Sequence, residues 1–136
     1  MKSCAKCGEI KSLDEFYKAA NMRSGRYSYC KLCCQANRRL TRSQTKDDVF
    51  EAYGGYICAC CSETEPKFLS IDHINNDGAD HRKRINGGGT RLYDWLKARN
   101  FPDGFQVLCM NCNLGKHRNG GVCPHQTSAV LIGESK

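Results

Sequence analysis

Gly104-Phe105-Gln106-Val107-Leu108-Cys109-Met110-Asn111-Cys112-Asn113 joins a strand-like run to a C-x-x-C knuckle, and then to a run of helical character. A matching knuckle, Cys58-Ala59-Cys60-Cys61, lies upstream, followed by Phe68-Leu69-Ser70-Ile71-Asp72-His73. A two-residue gap lets one tight turn present two sulfurs to one ion. Two such pairs make the tetrahedral thiolate site that suits Zn²⁺. Closing this site pairs the two apolar runs as a hairpin and starts a helix near Met110.

The rest of the cysteine inventory repeats the pattern. Eleven of the 136 residues are Cys, which is far above ordinary usage. Cys4, Cys7, Cys30 and Cys33 form one zinc set, with 22 residues between the knuckles. Cys58, Cys61, Cys109 and Cys112 form the second, with 47 between. Cys34, Cys60 and Cys123 are left over and are read as non-ligands. Cys123-Pro124-His125 as a fragment of a third site is the minor alternative. No run approaches the ~20 apolar residues of a membrane span, and Met1-Lys2-Ser3-Cys4 does not open a secretory signal. A cytoplasmic, reducing compartment is therefore expected, where disulfides are rare. An odd cysteine count also fits poorly with complete pairing.

Four segments follow along the chain. Residues 1–40 read as a small zinc module with an apolar pair at Leu13 and Phe16, passing after Cys33 into a helical run with Leu32, Ala36 and Leu40. Such a module buries too little surface to fold without its metal. Residues 41–55 read as a linker and short helix. Here 41–48 are a polar hinge or a continuation of the preceding helix, Asp47-Asp48 open a helix to Tyr53, and Gly54-Gly55 end it. Residues 56–119 hold the hairpin and last helix, with an insert at 74–104. That insert reads as a glycine-rich loop, Asn75 to Gly89, and a helix from Arg91 to Asn100. Thr90 is its candidate N-cap, and its apolar face is Leu92, Trp95 and Leu96, with Trp95 in the core. The tail, 120–136, lacks clear periodicity.

The hairpin ends on Asp72-His73. Asn113 follows the last zinc ligand, and His117 lies four residues on, on the same helical face. A carboxylate and an amide offer oxygen to a hard cation such as Mg²⁺, and a neighbouring imidazole can take a proton from water. That combination suits phosphodiester hydrolysis.

At these residues the chain resembles the HNH endonucleases of the His-Me finger (ββα-metal) superfamily, in the phage style of recombination endonuclease VII. The resemblance spans residues 49–119. Residues 1–40 are similar, more loosely, to a phage zinc ribbon. It implies a small α+β fold: a ββα-metal finger with structural zinc, preceded by a zinc-ribbon module. It implies two structural Zn²⁺ and one catalytic Mg²⁺ or Mn²⁺. His73 would be the general base, Asp72 and Asn113 would bind the catalytic ion, and His117 would be a further ligand to it. Duplex or branched DNA would be the partner, with no membrane involved and a homodimer as an open assembly. If phage-encoded, the compartment would be the infected bacterial cell. One departure stands out. The family often places an Asn five residues before the third zinc Cys, to orient the base; here that residue is Gly104, with Gln106 or Asn75 as candidate substitutes.

Basic clusters fit that partner: Arg38, Arg39 and Arg42; Arg82, Lys83 and Arg84; Lys116 and Arg118. His81 is read as an exposed loop residue or phosphate contact. One of Arg82 or Arg84 could stabilise charge on the cleaved phosphate. The formal charge is +7, but eight thiolates and two Zn²⁺ lower it to about +3. Clustering, more than net charge, therefore carries the nucleic-acid reading. The rival expectation is a non-catalytic zinc-finger nucleic-acid-binding phage regulator or packaging accessory.

Overall fold

The computed structural model describes residues 1–127. The end of the tail, 128–136, lies outside the described residues. The protein is a small mixed α+β chain of short antiparallel strand pairs with cysteine clusters that could hold zinc. It divides into two compact units, Met1–Gln44 and Thr45 onward.

In the first unit, β1 (Lys2–Ser3) pairs with β2 (Ile10–Lys11), and β3 (Phe16–Lys18) pairs with β4 (Arg26–Cys30). Its buried apolar cluster is Cys4, Phe16 and Cys30, with Tyr29 and Cys33 packed beside it. Leu13 is exposed and does not join Phe16, because residues 13–15 form a 3-10 turn with no buried member. Leu32 and Leu40 are exposed as well.

Helix α1 runs unbroken from Lys31 to Ala52. Residues 41–48 thus continue the helix, and Asp47-Asp48 lie within it and do not begin a new one. The stop is where the glycines put it. Gly54 and Gly55 take φ of 104° and 87°, and the Gly55 N–H donates to Phe50 O at 2.7 Å.

The second unit is built on β5 (Leu69–His73) and β6 (Phe105–Cys109), paired antiparallel with Leu69 opposite Cys109 and His73 opposite Phe105. Helix α2 (Gly78–Arg84) and helix α3 (Thr90–Ala98) lie between the strands in sequence, and helix α4 (Met110–Arg118) follows β6 directly. The expected loop at 75–89 therefore contains a helix. Gly89, at φ 55°, takes the N-cap position of α3, and Thr90 is the first helical residue. Leu92 and Leu96 of α3 join Val49, Phe50, Leu69, Ile71 and Val107 in the main core, with Trp95 partly buried against it. Among the described residues, no helix is long and apolar enough to cross a membrane.

Candidate active site and metal centres

The eight paired cysteines come together as two sets. Cys4, Cys7, Cys30 and Cys33 bring their sulfurs within 4.8 Å of one another, and so do Cys58, Cys61, Cys109 and Cys112. Each set could bind a structural zinc ion. Backbone N–H groups prepare the sulfurs: Cys30 N donates to Cys4 Sγ at 3.2 Å, and Cys112 N donates to Cys109 Sγ at 3.4 Å. Burial pushes the Cys4 thiol up, but N–H groups of Cys30, Cys7 and Lys6 outweigh it and bring it down to about 6. The same opposition, burial against the N–H groups of Cys61, Cys109 and Cys60, brings Cys58 down to about 7. Cys33 is held up at about 12, first by its hydrogen bond with Cys30 and then by burial. Burial, followed by Cys109, raises Cys112. One thiolate therefore forms readily in each set, and a dication binding there would displace the remaining thiol protons to solvent.

The leftover cysteines divide. Cys34 is a buried thiol 3.6 Å from the Tyr29 carbonyl, as an ordinary thiol should be. Cys60 and Cys123 do not stand alone: they cluster with Cys112 and His125. The tail had to fold back before that was visible.

Successive residues of a strand point to opposite faces, and β5 uses both. Asp72, opposite Gln106, accepts from Gln106 Nε2 at 2.8 Å and from Lys116 Nζ at 2.6 Å, both on Oδ2. Ser70, on the same face, accepts from Asn113 Nδ2 at 3.2 Å. His73 turns the other way, its ring 4.8 Å from that of Phe105 and 5.0 Å from that of His81. Its Nε2 lies 2.8 Å from His81 Nδ1. Asp72, His73, Asn113, His117 and Arg82 all line one cavity of about 400 Å³. A side chain at Gly78 would sit 2.9 Å from His73 Nδ1 and 3.2 Å from Arg82 Nη1, so a glycine there keeps the wall over His73 open.

Two of these placements correct the sequence reading. Lys116 is not a phosphate contact. On α4 it shares the inward face with Cys112, four residues before it. There it donates to Asp72 and to the carbonyls of His73 and Ile74 at 2.7 and 3.1 Å. Its side chain is 7% exposed and that of Asp72 is 8%. His81 is buried at 4%; α2 carries it inward onto Trp95, ring centroids 4.2 Å apart, and among the described residues its Nε2 has no hydrogen-bond partner. Gln106 bonds Asp72, so the polar partner of His73 is His81. The periodicity of a seven-residue helix inside a glycine-rich insert was the only sequence signal for it. Arg82, Lys83, Arg84 and Arg118 remain exposed, as do Arg38, Arg39 and Arg42 in the first unit.

Burial lowers the pKa of His73, with His81 adding to it; burial then Arg84 lowers that of His81. Burial therefore biases both rings toward the neutral form. The buried Lys116–Asp72 pair gives a prediction. Lys116→Ala should destabilise the zinc-loaded protein by about 3–5 kcal/mol, since it leaves an uncompensated buried carboxylate. Urea unfolding measures this; a change below about 1 kcal/mol would mean Lys116 is solvated.

No protein-family model, curated protein or solved structure matches this chain.

Proposed function

We propose that the chain is a metal-dependent DNA endonuclease of the HNH type, with β5, β6 and α4 as its ββα-metal finger. The observation that carries this reading is the shared cavity of Asp72, His73, Asn113, His117 and Arg82. In the tautomer in which His73 Nε2–H donates to His81 Nδ1, His73 Nδ1 keeps its lone pair beside Gly78. It then accepts a proton from the attacking water, and His81 holds the ring in place. His81 fills the orienting role that Gly104 cannot.

The donor set also fits a hard cation. Both hydrogen bonds to Asp72 fall on Oδ2, which leaves Oδ1 for the ion. Asn113 spends its Nδ2 on Ser70, which leaves its carbonyl oxygen, and His117 adds a nitrogen. Mg²⁺ or Mn²⁺ bound there supplies charge neutralisation at the phosphate and leaving oxygen. Lys116 already balances the charge of Asp72, so an ion held there would take the rest of its charge balance from the DNA phosphate. Metal and DNA binding should therefore be mutually reinforcing. Arg82, at the cavity wall, is placed to meet the scissile phosphate, and Lys83, Arg84 and Arg118 to hold flanking ones. Arg38, Arg39 and Arg42 offer the first unit its own phosphate contacts.

The rival, a non-catalytic zinc-finger nucleic-acid-binding protein, draws support from that same Lys116–Asp72 pair, which makes the site less acidic than a free carboxylate would. Plasmid cleavage decides between them. Zinc-loaded protein should cut only when Mg²⁺ or Mn²⁺ is added, and should fall silent when it is omitted. Chelators are a poorer control, because they also strip the structural sites. With a depressed pKa at His73, the rate should hold through neutral pH, and its acid limb should lie below 6.5, the ordinary histidine value. The unfolded chain takes up that proton first as pH falls below 6.5, so the fold loses stability over the same window. A limb above 6.5, or cleavage without added metal, would remove His73 from the base role.

A further inference from the structure

We infer that a third metal ion is held by Cys60, Cys112, Cys123 and His125, sharing the Cys112 sulfur with the ion of the Cys58, Cys61, Cys109 and Cys112 set. The four donor atoms lie within 4.8 Å of one another. His125 Nδ1 is 3.4 Å from Cys112 Sγ, 3.7 Å from Cys123 Sγ and 4.0 Å from Cys60 Sγ. In a tetrahedral zinc site the metal–ligand bonds are about 2.3 Å to sulfur and 2.0 Å to nitrogen, which makes a sulfur–nitrogen edge about 3.5 Å. Two of the three separations are already close to that edge, and the third needs to close by about half an ångström. Three sulfurs and one imidazole select zinc over magnesium or calcium.

The chain is shaped to deliver these ligands. Cys58 and Cys61 serve the neighbouring set, while Cys60, in the same turn, falls in this one. Cys112 is fully buried and belongs to both. After α4 the backbone reverses through Gly120 and Gly121, at φ 64° and 101°, and the Gly121 N–H donates to Lys116 O at 2.9 Å. Residues 123–125 return against α4 where Gly115 has no side chain. A Cβ there would lie 3.0 Å from Pro124 Cδ and 4.0 Å from Cys123 Sγ. Cys123 is 3% exposed as a result.

Sharing Cys112 also solves the charge problem. The third ion adds two positive charges, and the Cys60 and Cys123 thiols each release one proton to become thiolates. The charge of the pair of sites is therefore unchanged, and two protons pass to solvent per ion bound. A separate four-thiolate site would instead add two negative charges to a buried region. The ion would fasten residues 123–125 to the Cys58–Cys61 turn, closing the chain around the start of α4.

Native mass spectrometry of the full chain at saturating zinc tests this, independently of any cleavage. Wild type should hold three zinc ions. Cys123→Ser combined with His125→Ala should hold two and keep amide-exchange protection in Leu69–His73. Asn113→Ala combined with His117→Ala should still hold three, which separates this ion from one in the proposed nuclease cavity. In cadmium-loaded protein, two resonances should show scalar coupling through the Cys112 sulfur. Two zinc ions on wild type, or three on the Cys123/His125 variant, overturn the site. Uncoupled cadmium resonances overturn the shared sulfur.

Discussion

Replacing His73 with alanine should lower the rate of Mg²⁺-dependent plasmid cleavage about 10²–10⁴-fold, the usual size of a general-base contribution. Affinity for DNA should change little, because the phosphate contacts proposed for this chain come from Arg and Lys side chains and not from His73. The zinc count should stay the same, since no cysteine of either set depends on His73. The ring packs against Phe105 and His81, so alanine also opens a gap in a buried region. His73→Asn fills more of that gap and cannot take up a proton at neutral pH. It should be as inactive as alanine while unfolding at nearly the wild-type urea concentration. Wild-type cleavage by either folded variant would sink the nuclease reading and leave the non-catalytic zinc-finger alternative.

The second large effect concerns metal. Cys30→Ser should unfold the first unit and leave the second folded. The first unit buries one large apolar side chain, Phe16, worth about 1.5–3 kcal/mol. Ordering each residue costs about 1–2 kcal/mol, so apolar burial cannot hold these strands. A structural zinc contributes on the order of 10–16 kcal/mol in small modules. Amide exchange reads the outcome locally. Phe16–Lys18 and Arg26–Cys30 should lose protection, and Leu69–His73, which pack into a core with Val49, Phe50 and Leu96, should keep theirs. Retained protection in the first unit would mean that something other than the metal organises it.

The covalent chain fixes a good deal of this by itself. A C-x-x-C knuckle is local geometry, so the two zinc sets and the strands and helix they start were legible from spacing. Asp72, His73, Asn113 and His117 sit at fixed offsets from those knuckles. Their meeting at one cavity follows once the hairpin closes. Leu92, Trp95 and Leu96 were readable for the same reason, because a helix repeats its face every three or four residues.

Only the tertiary structure decided what depends on rotation and return. Lys116 looks like a surface charge next to His117 and Arg118. The turn of α4 that points Cys112 into its cysteine set also points Lys116 at Asp72, and burial makes that pair structural. His81 sits in a basic, glycine-rich stretch whose composition says loop. The seven-residue α2 instead aims it at Trp95 and His73, where it becomes the partner of the proposed base. Cys60 lies far along the chain from the Cys123-Pro124-His125 stretch, and no shared knuckle spacing links them. They meet because the chain doubles back over Gly115, and a contact of that kind leaves no periodic mark on the sequence.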